Sequence, residues 1–329
     1  MSVEPVIGER PGASIQAWLT FRAARVMLRP LLSNWPLTSW GLLPLPLIDI
    51  AAGLLPPLRG TRFERVDFDD GCPAEWTHAE GARDDGVVLY FHGGAFLACG
   101  LATHRREVTR ISAASGLPVL SVGYRQLPQV GLTGSVADCF AAYRWLLEQG
   151  FDPDRIMLAG DSAGGHLAFS TALAARDAGL PLPAGIVALS PWLDLDATSK
   201  QAHPNAERDA FAPVDRLPTL TRLLVQDAEA DWDLSPVNAD LTGLPPTLIM
   251  TAESEMLRCD AELMADRLSA ADVPCELQVW HGQVHAFPVL GNLLPESRAA
   301  IVEIGRFVRD VLANAATTGR GEADVELAG

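Results

Sequence analysis

One serine of this chain stands in a setting that suits nucleophilic chemistry. Residues 160–164 read Gly-Asp-Ser-Ala-Gly and directly follow an apolar run at 155–159, and the residues beyond them have the composition of a helix. A sharp strand-to-helix turn strains its central residue and brings chain segments so close that only small neighbours fit. Gly160 and Gly164 meet that requirement, so the pattern predicts a turn that exposes the hydroxyl of Ser162. The alternative is a structural turn without chemistry.

A second motif supplies groups that such a nucleophile needs. An apolar run at 87–91 leads into residues 92–96, which read His-Gly-Gly-Ala-Phe. Attack by a serine on a carbonyl generates an oxyanion, and backbone N–H groups can stabilise it. Consecutive glycines allow bare amides to approach a ligand, so we expect the oxyanion donors to be the N–H groups of Gly93, Gly94 and Ala163. A tight turn with no chemical role is the alternative.

The elements around these motifs alternate between strands and helices. Short apolar runs predict strands at 62–68, 72–78, 87–91, 118–122, 155–159, 185–189, 247–251 and 275–280. Helical patterns lie near 103–115, 135–149, 164–178, 257–271 and 296–313. This alternation predicts an α/β fold with a mostly parallel sheet that is covered on both faces.

The rest of the chain predicts two cap segments and a tail. Residues 1–58 form an N-terminal cap segment with a helical pattern, and residues 59–312 form the catalytic domain. Residues 196–243 interrupt the alternation and are rich in proline and acidic residues, which predicts a cap insertion within that domain. The tail at 313–329 is small and polar, a composition typical of disorder.

Charge and cysteine usage restrict the partners and cofactors. Lysine and arginine number 25 against 41 acidic residues, a formal net charge of −16. This charge disfavours nucleic acid and anionic lipid as partners. The five cysteines are scattered without a Cys-x-x-Cys or Cys/His cluster, so we expect reduced thiols, no zinc site and a cytoplasmic location. No dinucleotide-binding or phosphate-binding glycine pattern occurs, and we expect no cofactor.

Targeting and membrane signals are also weak. Residues 1–14 lack the apolar region of a secretory signal peptide. Residues 41–58 are apolar, but prolines and Asp49 interrupt them, so we expect no transmembrane span. A surface or cap element that contacts apolar ligands is the better interpretation of this stretch.

In combination, these motifs resemble the hormone-sensitive-lipase-like family of α/β-hydrolase-fold serine esterases. That family pairs a His-Gly-Gly-Gly or His-Gly-Gly-Ala loop with Gly-Asp-Ser-Ala-Gly, and the resemblance covers most of residues 60–312. Further matching blocks lie at 122–125, 138, 142–146, 190–195, 244–249, 255–257, 284–287 and 294–296. The chain departs from the family at 126–129, where Gln-Leu-Pro-Gln replaces the usual Leu-Ala-Pro-Glu. The resemblance implies an α/β-hydrolase fold with a helical cap.

The resemblance also implies a triad. A serine needs a base and an acid that orients the base, and in this fold they follow in the order serine, acid, histidine. His281 and His285 both follow the last predicted strand; His285 matches the family position, and we expect His281 to cap the strand or meet solvent. Glu253, Glu255 and Asp260 follow the preceding strand. Glu255 matches the family's acid, and Asp260 is expected at the surface.

Three other motif residues have expected structural roles. His92 and Asp161 are interpreted as braces for the two motifs. Asp138 is expected to form an ion pair with Arg125 or Arg144.

The function that the resemblance implies is that of a metal-free serine carboxylesterase. It would hydrolyse short- to medium-chain esters through an acyl-enzyme, with a small-molecule ester or lactone as its partner. A lactone hydrolase with the same triad is one alternative, and a non-catalytic ligand receptor on this fold is another. A homodimer and peripheral contact with lipid stay open.

Overall fold

A nine-stranded sheet forms the centre of the protein in a computed structural model. The structure describes residues 5–68, 72–225 and 234–326, with the backbone alone at 316–326. The strands are β1 (Val6–Arg10), β2 (Arg62–Asp67), β3 (Pro73–His78), β4 (Val87–Phe91), β5 (Val119–Val122), β6 (Ile156–Asp161), β7 (Gly185–Leu189), β8 (Thr247–Ala252) and β9 (Cys275–Trp280). Their order in the sheet is β1-β9-β8-β7-β6-β4-β5-β3-β2.

The sheet is mostly parallel, as the sequence predicts. Among the described strands, β3 runs antiparallel to both of its neighbours, β2 and β5, and the other strand pairs are parallel. Every residue of β4, β6, β7 and β8 is buried. Continuous apolar strands of this kind need helices on both faces to exclude water.

Helices supply that cover. They are α1 (Ile15–Ala23), α2 (Arg29–Asn34), α3 (Ser39–Leu42), α4 (Pro46–Ala52), α5 (Leu101–Ser115), α6 (Leu132–Glu148), α7 (Ala163–Asp177), α8 (Thr198–Ala202), α9 (Asn205–Arg208), α10 (Leu217–Val225), α11 (Arg258–Ala270) and α12 (Pro295–Glu326). One face of the sheet packs against α6, α7 and α11, and the other packs against α5 and α12. Two layers of helices thus enclose the sheet.

The first strand was not predicted. Residues Val6–Arg10 pair in parallel with β9 at the sheet edge, and most of their side chains are exposed. Backbone hydrogen bonds hold such an edge strand, so its side chains show little hydrophobic pattern.

The two cap segments contact each other. A π-helical turn at Ala24–Leu28 joins α1 to α2. Arg25 donates to the carbonyl of Glu207 at 2.6 Å, and Arg29 donates to that of Ala206 at 3.0 Å. The N-terminal helices are therefore fixed to the α9 region of the insertion.

The C-terminal tail differs from its prediction. Helix α12 continues through residues 313–326, for which the composition predicts disorder; residues 327–329 lie outside the described part. Alanine has the highest helix propensity, and Ala313 and Ala315 stand at the start of this extension.

The loop at 126–129, where the chain departs from the family, is anchored without an acidic residue. Gln126 donates through Nε2 to the carbonyl of Cys99 at 3.1 Å, and Leu127 N donates to Phe96 O at 2.9 Å. Arg125 forms the expected ion pair with buried Asp138 at 2.6 Å. This loop therefore packs directly on the segment that follows β4.

Candidate active site

Ser162 lies at the turn between β6 and α7 in a strained backbone conformation. Its φ is 53° and its ψ is −114°, which side-chain-bearing residues rarely adopt. A Cβ at Gly164 would collide with the carbonyl of Phe91, so the turn needs glycine there. The backbone N–H of Ser162 donates to Leu189 O at 2.8 Å, which fixes the turn to the end of β7. The turn has the geometry of the nucleophile elbow that the motif predicts.

The glycine loop after β4 places free backbone donors beside this turn. Gly94 has a φ of 125°, and a Cβ there would collide with the carbonyl of Ala98. Within the described chain, the N–H groups of Gly94, Ala95 and Ala163 donate to no protein acceptor. Unpaired amides beside a nucleophile are the groups that an oxyanion would use.

The sequence analysis expects Gly93 to donate to the oxyanion, but the structure gives its N–H another partner. Its N–H donates to Oδ1 of Asp161 at 2.8 Å, so it is already engaged inside the protein. The two motifs are thereby tied together, since Asp161 directly precedes the serine. The N–H of Gly93 thus holds the loop in place.

Asp161 belongs to a buried hydrogen-bonded network that the sequence reasoning missed. Its Oδ1 accepts from the Tyr90 hydroxyl at 2.7 Å and lies 3.3 Å from Nε2 of His104, and the Tyr90 hydroxyl lies 3.0 Å from Glu107 Oε2. Burial and the nearby Asp161 raise the pKa of Glu107 to about 8. A protonated Glu107 can donate to Tyr90, which has one hydrogen and gives it to Asp161. The network braces the carboxylate that orients Gly93.

The same group of side chains has a composition that could hold a metal ion. Ligand atoms of His104, Glu107 and Asp161 all lie within 4.8 Å of one another. Burial alone would lower the pKa of His104, but Asp161 raises it to about 9. A metal would have to displace protons from both His104 and Glu107, because ligands bind in their deprotonated forms. We therefore interpret the cluster as a brace.

His92, which the sequence analysis expects to act as a brace, contacts the glycine loop and Tyr124. Its ring stacks on Tyr124 with centroids 4.4 Å apart, and its Nδ1 lies 2.8 Å from Gly93 O. Burial and nearby His104 lower the pKa of His92 to about 4. The neutral ring thus supports the glycine loop through its contact with the carbonyl of Gly93.

Glu255 and His285 form a buried pair. Oε2 of Glu255 lies 2.6 Å from Nδ1 of His285, and Glu255 is 1% exposed. Its other oxygen accepts from the backbone N–H of Ala252 at 2.8 Å and from the hydroxyl of Thr251. Since a carboxylate only accepts, Nδ1 of His285 carries the hydrogen and Nε2 keeps its lone pair. Burial would lower the pKa of His285, yet the hydrogen bond and charge of Glu255 raise it above its ordinary value.

The end of β7 connects this pair to the serine turn. Ser190 follows β7, and its hydroxyl accepts from the N–H of Ala286 at 3.0 Å. The preceding residue, Leu189, accepts from the N–H of Ser162. His285 and Ser162 are therefore both fixed to adjacent residues at the same edge of the sheet.

His281 and Glu253, the alternatives to His285 and Glu255 in the sequence analysis, have other partners. Nε2 of His281 lies 2.6 Å from a carboxylate oxygen of Glu9, where it links the ends of β9 and β1. Glu253 pairs with Arg208 at 2.8 Å. Neither residue has a hydrogen bond to His285 among the described residues.

The surface position expected for Asp260 is wrong. Asp260 is 1% exposed and lies 2.7 Å from Nζ of Lys200, which is fully buried. Its other oxygen accepts from the backbone N–H groups of Leu193 and Asp194. The sequence around Asp260 gives no indication of Lys200, which lies 60 residues earlier in the segment at 196–243.

Asp209 is a further residue near the pair that sequence reasoning missed. It is buried, and its Oδ2 accepts from the N–H of Met256 at 2.8 Å, while Oδ1 accepts from Phe211 N at 2.7 Å. The hydrogen bond from Met256 to Asp209 fixes the backbone next to Glu255. In the sequence it stands among several acidic residues of the insertion, and no motif distinguishes it.

The nucleophile elbow, the adjacent amides and the buried Glu255–His285 pair on a mostly parallel sheet define an α/β hydrolase. The model of a family described as having the alpha/beta hydrolase fold matches residues 88–289. Esterase LipU of Mycobacterium tuberculosis is 40% identical over 84% of this chain and 93% of its own length. Carboxylesterase/phospholipase LipF of the same organism is 39% identical over 94% of this chain and 86% of its own.

Solved structures agree with these matches. A crystal structure of an esterase from the bacterial hormone-sensitive lipase family has a TM-score of 0.81 and 35% identity, covering 92% of this chain and all of its own. A hormone-sensitive lipase from a metagenome library has a TM-score of 0.82 and 31% identity over the same shares. The chain belongs to the hormone-sensitive-lipase-like family of α/β-hydrolase-fold esterases and is a carboxylic ester hydrolase.

Proposed function

We propose that this ester hydrolase acts through a triad of Ser162, His285 and Glu255. The observation that carries the proposal is the 2.6 Å contact between Glu255 and His285, both buried, with Nε2 of the histidine left to accept a proton. The strained Ser162 turn at the same sheet edge supports it. This arrangement favours an enzyme over the receptor alternative, which lacks a catalytic histidine.

In the first half-reaction, Nε2 of His285 takes the proton of the Ser162 hydroxyl as Oγ bonds to the ester carbonyl carbon. The carbonyl oxygen becomes an oxyanion. When it collapses, the bond between the carbonyl carbon and the alcohol oxygen breaks, and the imidazolium returns its proton to the leaving alcohol. Glu255 stabilises the positive charge on His285 without taking the proton. An acyl group remains on Ser162.

In the second half-reaction, water replaces the alcohol. His285 takes a proton from water while the water oxygen attacks the acyl carbon, and the proton then passes to Oγ of Ser162 as the acid leaves. The N–H groups of Gly94, Ala95 and Ala163 would stabilise both oxyanions. Ala95 replaces Gly93 in this assignment because its N–H has no acceptor among the described residues.

The proposed substrates are esters of short to medium acyl chains, of about two to eight carbons. Phe211 of the insertion lies against His285, with ring centroids 5.3 Å apart. Leu217, six residues later in the chain, is buried. Trp18 and Leu19 of the N-terminal segment are each 54% exposed. Each buried methylene contributes about 0.8 kcal/mol until the pocket is full. The apolar contact offered to an acyl chain is therefore limited.

A p-nitrophenyl ester series tests both the activity and the chain length. kcat/KM should rise from acetate towards butyrate or hexanoate and fall by dodecanoate. Ser162→Ala, measured beside it, should remove activity on every ester. A rate that kept rising to palmitate, with activation above the micellar threshold, would replace this proposal with a true lipase; faster hydrolysis of lactones would replace it with a lactone hydrolase.

A further inference from the structure

The N-terminal cap segment exposes most of the large apolar side chains that the described chain leaves in solvent. Seventeen such residues are exposed, and thirteen of them lie between residues 15 and 55. They are Ile15, Trp18, Leu19, Val26, Met27, Leu31, Trp40, Leu43, Leu47, Ile48, Ile50, Leu54 and Leu55. Isolated exposed apolar residues are ordinary, but a concentration of this kind marks a surface that another apolar phase covers.

Five of these residues form one continuous stripe, which we call the α4 face. They are Trp40, Leu43, Leu47, Ile50 and Leu54, exposed by 83%, 64%, 59%, 65% and 84%. Leu47 and Ile50 lie on α4, Leu43 in the turn before it and Leu54 in the turn after it, and their spacing of four, three and four residues is that of one side of a helix. The α4 face therefore comprises α3, α4 and the turns on either side of α4.

The opposite side of α4 is attached to the protein. Oδ1 of Asp49 accepts from the N–H of Thr103 at 2.7 Å, at the start of α5. Leu45, just before α4, is buried in the core. The helix is thus held by its inner side, and its apolar side faces solvent because of that attachment.

The charge of this segment is opposite to that of the rest of the chain. Residues 15–60 contain four arginines and a single acid, Asp49, for a net charge of +3, whereas the remaining chain has −19. Asp49 is turned inward to α5, and Arg106 lies at the far end of α4, where it donates to Pro56 O at 3.1 Å. The overall charge of −16, which disfavours anionic lipid, hides this local reversal.

We propose that the α4 face docks the protein on an anionic lipid surface. An apolar surface with a cationic side chain such as Arg106 beside it lies in the plane of such an interface, with its apolar residues among the acyl chains. Exposed tryptophans such as Trp40 favour the headgroup level. The acidic body does not prevent binding, because charges more than a Debye length of about 10 Å from the lipid are screened.

A second copy of this chain fits the same surface less well. Pairing two copies through the α4 face would bring two segments of net charge +3 together. An anionic bilayer supplies both the apolar phase and the opposite charge. No helix in the described ranges is long and apolar enough to cross a membrane, and the proposal needs only contact with one leaflet.

Sedimentation with vesicles tests the proposal without using the enzyme's activity. Full-length protein is mixed with vesicles of phosphatidylcholine alone or with phosphatidylglycerol added. We expect it to pellet with the anionic vesicles, and to be released as sodium chloride rises from about 0.05 to 0.5 M. Ser162→Ala should bind equally well, so this result is separate from the proposed triad.

Two matched variants locate the surface. Leu47→Ser/Ile50→Ser/Leu54→Ser should lower binding at least about tenfold, because three apolar side chains no longer enter the lipid. Leu293→Ser/Val302→Ser changes residues that are 71% and 61% exposed but lie outside the segment, and should bind as the parent protein does. Circular dichroism and the melting temperature confirm that both variants fold.

Three results would overturn the proposal. The first is a parent protein that stays in the supernatant with anionic vesicles. The second is equal binding by the parent and the α4-face variant. The third is a homodimer that the α4-face variant converts to monomers, which would make this surface a protein interface instead.

Discussion

Replacing Glu255 by glutamine tests the proposed triad, and the structure dictates how the new side chain would lie. Oε1 of Glu255 accepts from Ala252 N–H, a group that can only donate. The glutamine oxygen must take that position, which turns the NH2 group towards Nδ1 of His285, 2.6 Å away in the parent. An NH2 group only donates at this contact, so Nδ1 must accept and the imidazole hydrogen moves to Nε2. Nε2, the nitrogen proposed to take the proton of Ser162, would then carry a hydrogen and have no free lone pair.

The expected loss follows from that tautomer. A triad whose acid becomes an amide while its geometry is kept loses on the order of 10⁴ in kcat. At about 1.36 kcal/mol for each tenfold change, this corresponds to roughly 5 kcal/mol of transition-state stabilisation. KM should change little, because Glu255 is buried behind the histidine and would not contact the ester.

The assay is hydrolysis of p-nitrophenyl butyrate, with Glu253→Gln as the matched control. Glu253 lies two residues away and pairs with Arg208, so its change should leave kcat within about threefold of the parent. Glu255→Asp keeps the charge and should retain more activity than the glutamine variant. A Glu255→Gln enzyme within tenfold of the parent, or an equal loss in Glu253→Gln, would refute the reasoning.

Other predictions concern the base and the core. His285→Ala should lose at least about a thousandfold in kcat, whereas His281→Ala should stay within tenfold because that ring only meets Glu9 at the surface; the reverse ranking would reassign the base. The acid limb of kcat/KM should lie above pH 6.5, since the pKa of His285 is raised and only its neutral form accepts a proton, so a limb below pH 6 would contradict the pairing. Lys200→Met should lower the free energy of unfolding in urea by about 3–5 kcal/mol, because it leaves Asp260 buried and unpaired; a change under 1 kcal/mol would show that the pair is dispensable.

The sequence predicted those parts of the molecule that depend on local pattern. The apolar runs at 87–91 and 185–189 are strands with those bounds, because strands buried on both faces are apolar throughout. The turn around Ser162 was predictable because close backbone packing restricts its neighbours to small residues. The edge strand β1 was not predicted, because backbone hydrogen bonds to β9 hold it in place and such bonds require no particular side chains.

What the sequence missed depends on contacts between distant segments. Asp260 meets Lys200 across 60 residues, and Asp161 holds the N–H of Gly93 across 68, so composition near either residue gives no sign of the partner. Such pairs become visible only when the fold brings the groups together. The net charge of −16 is an average over 329 residues and does not show the local charge of +3 at residues 15–60.

The most direct test of the central proposal is to identify the nucleophile by covalent trapping. A fluorophosphonate should form one adduct per chain, and peptide mass spectrometry should place it on Ser162, the serine in the strained turn after β6. Denatured protein is the control, since reactivity needs the folded Glu255–His285 pair. Ser162→Ala should form no adduct; persistent labelling of that variant, or an adduct on another serine, would contradict the proposed triad.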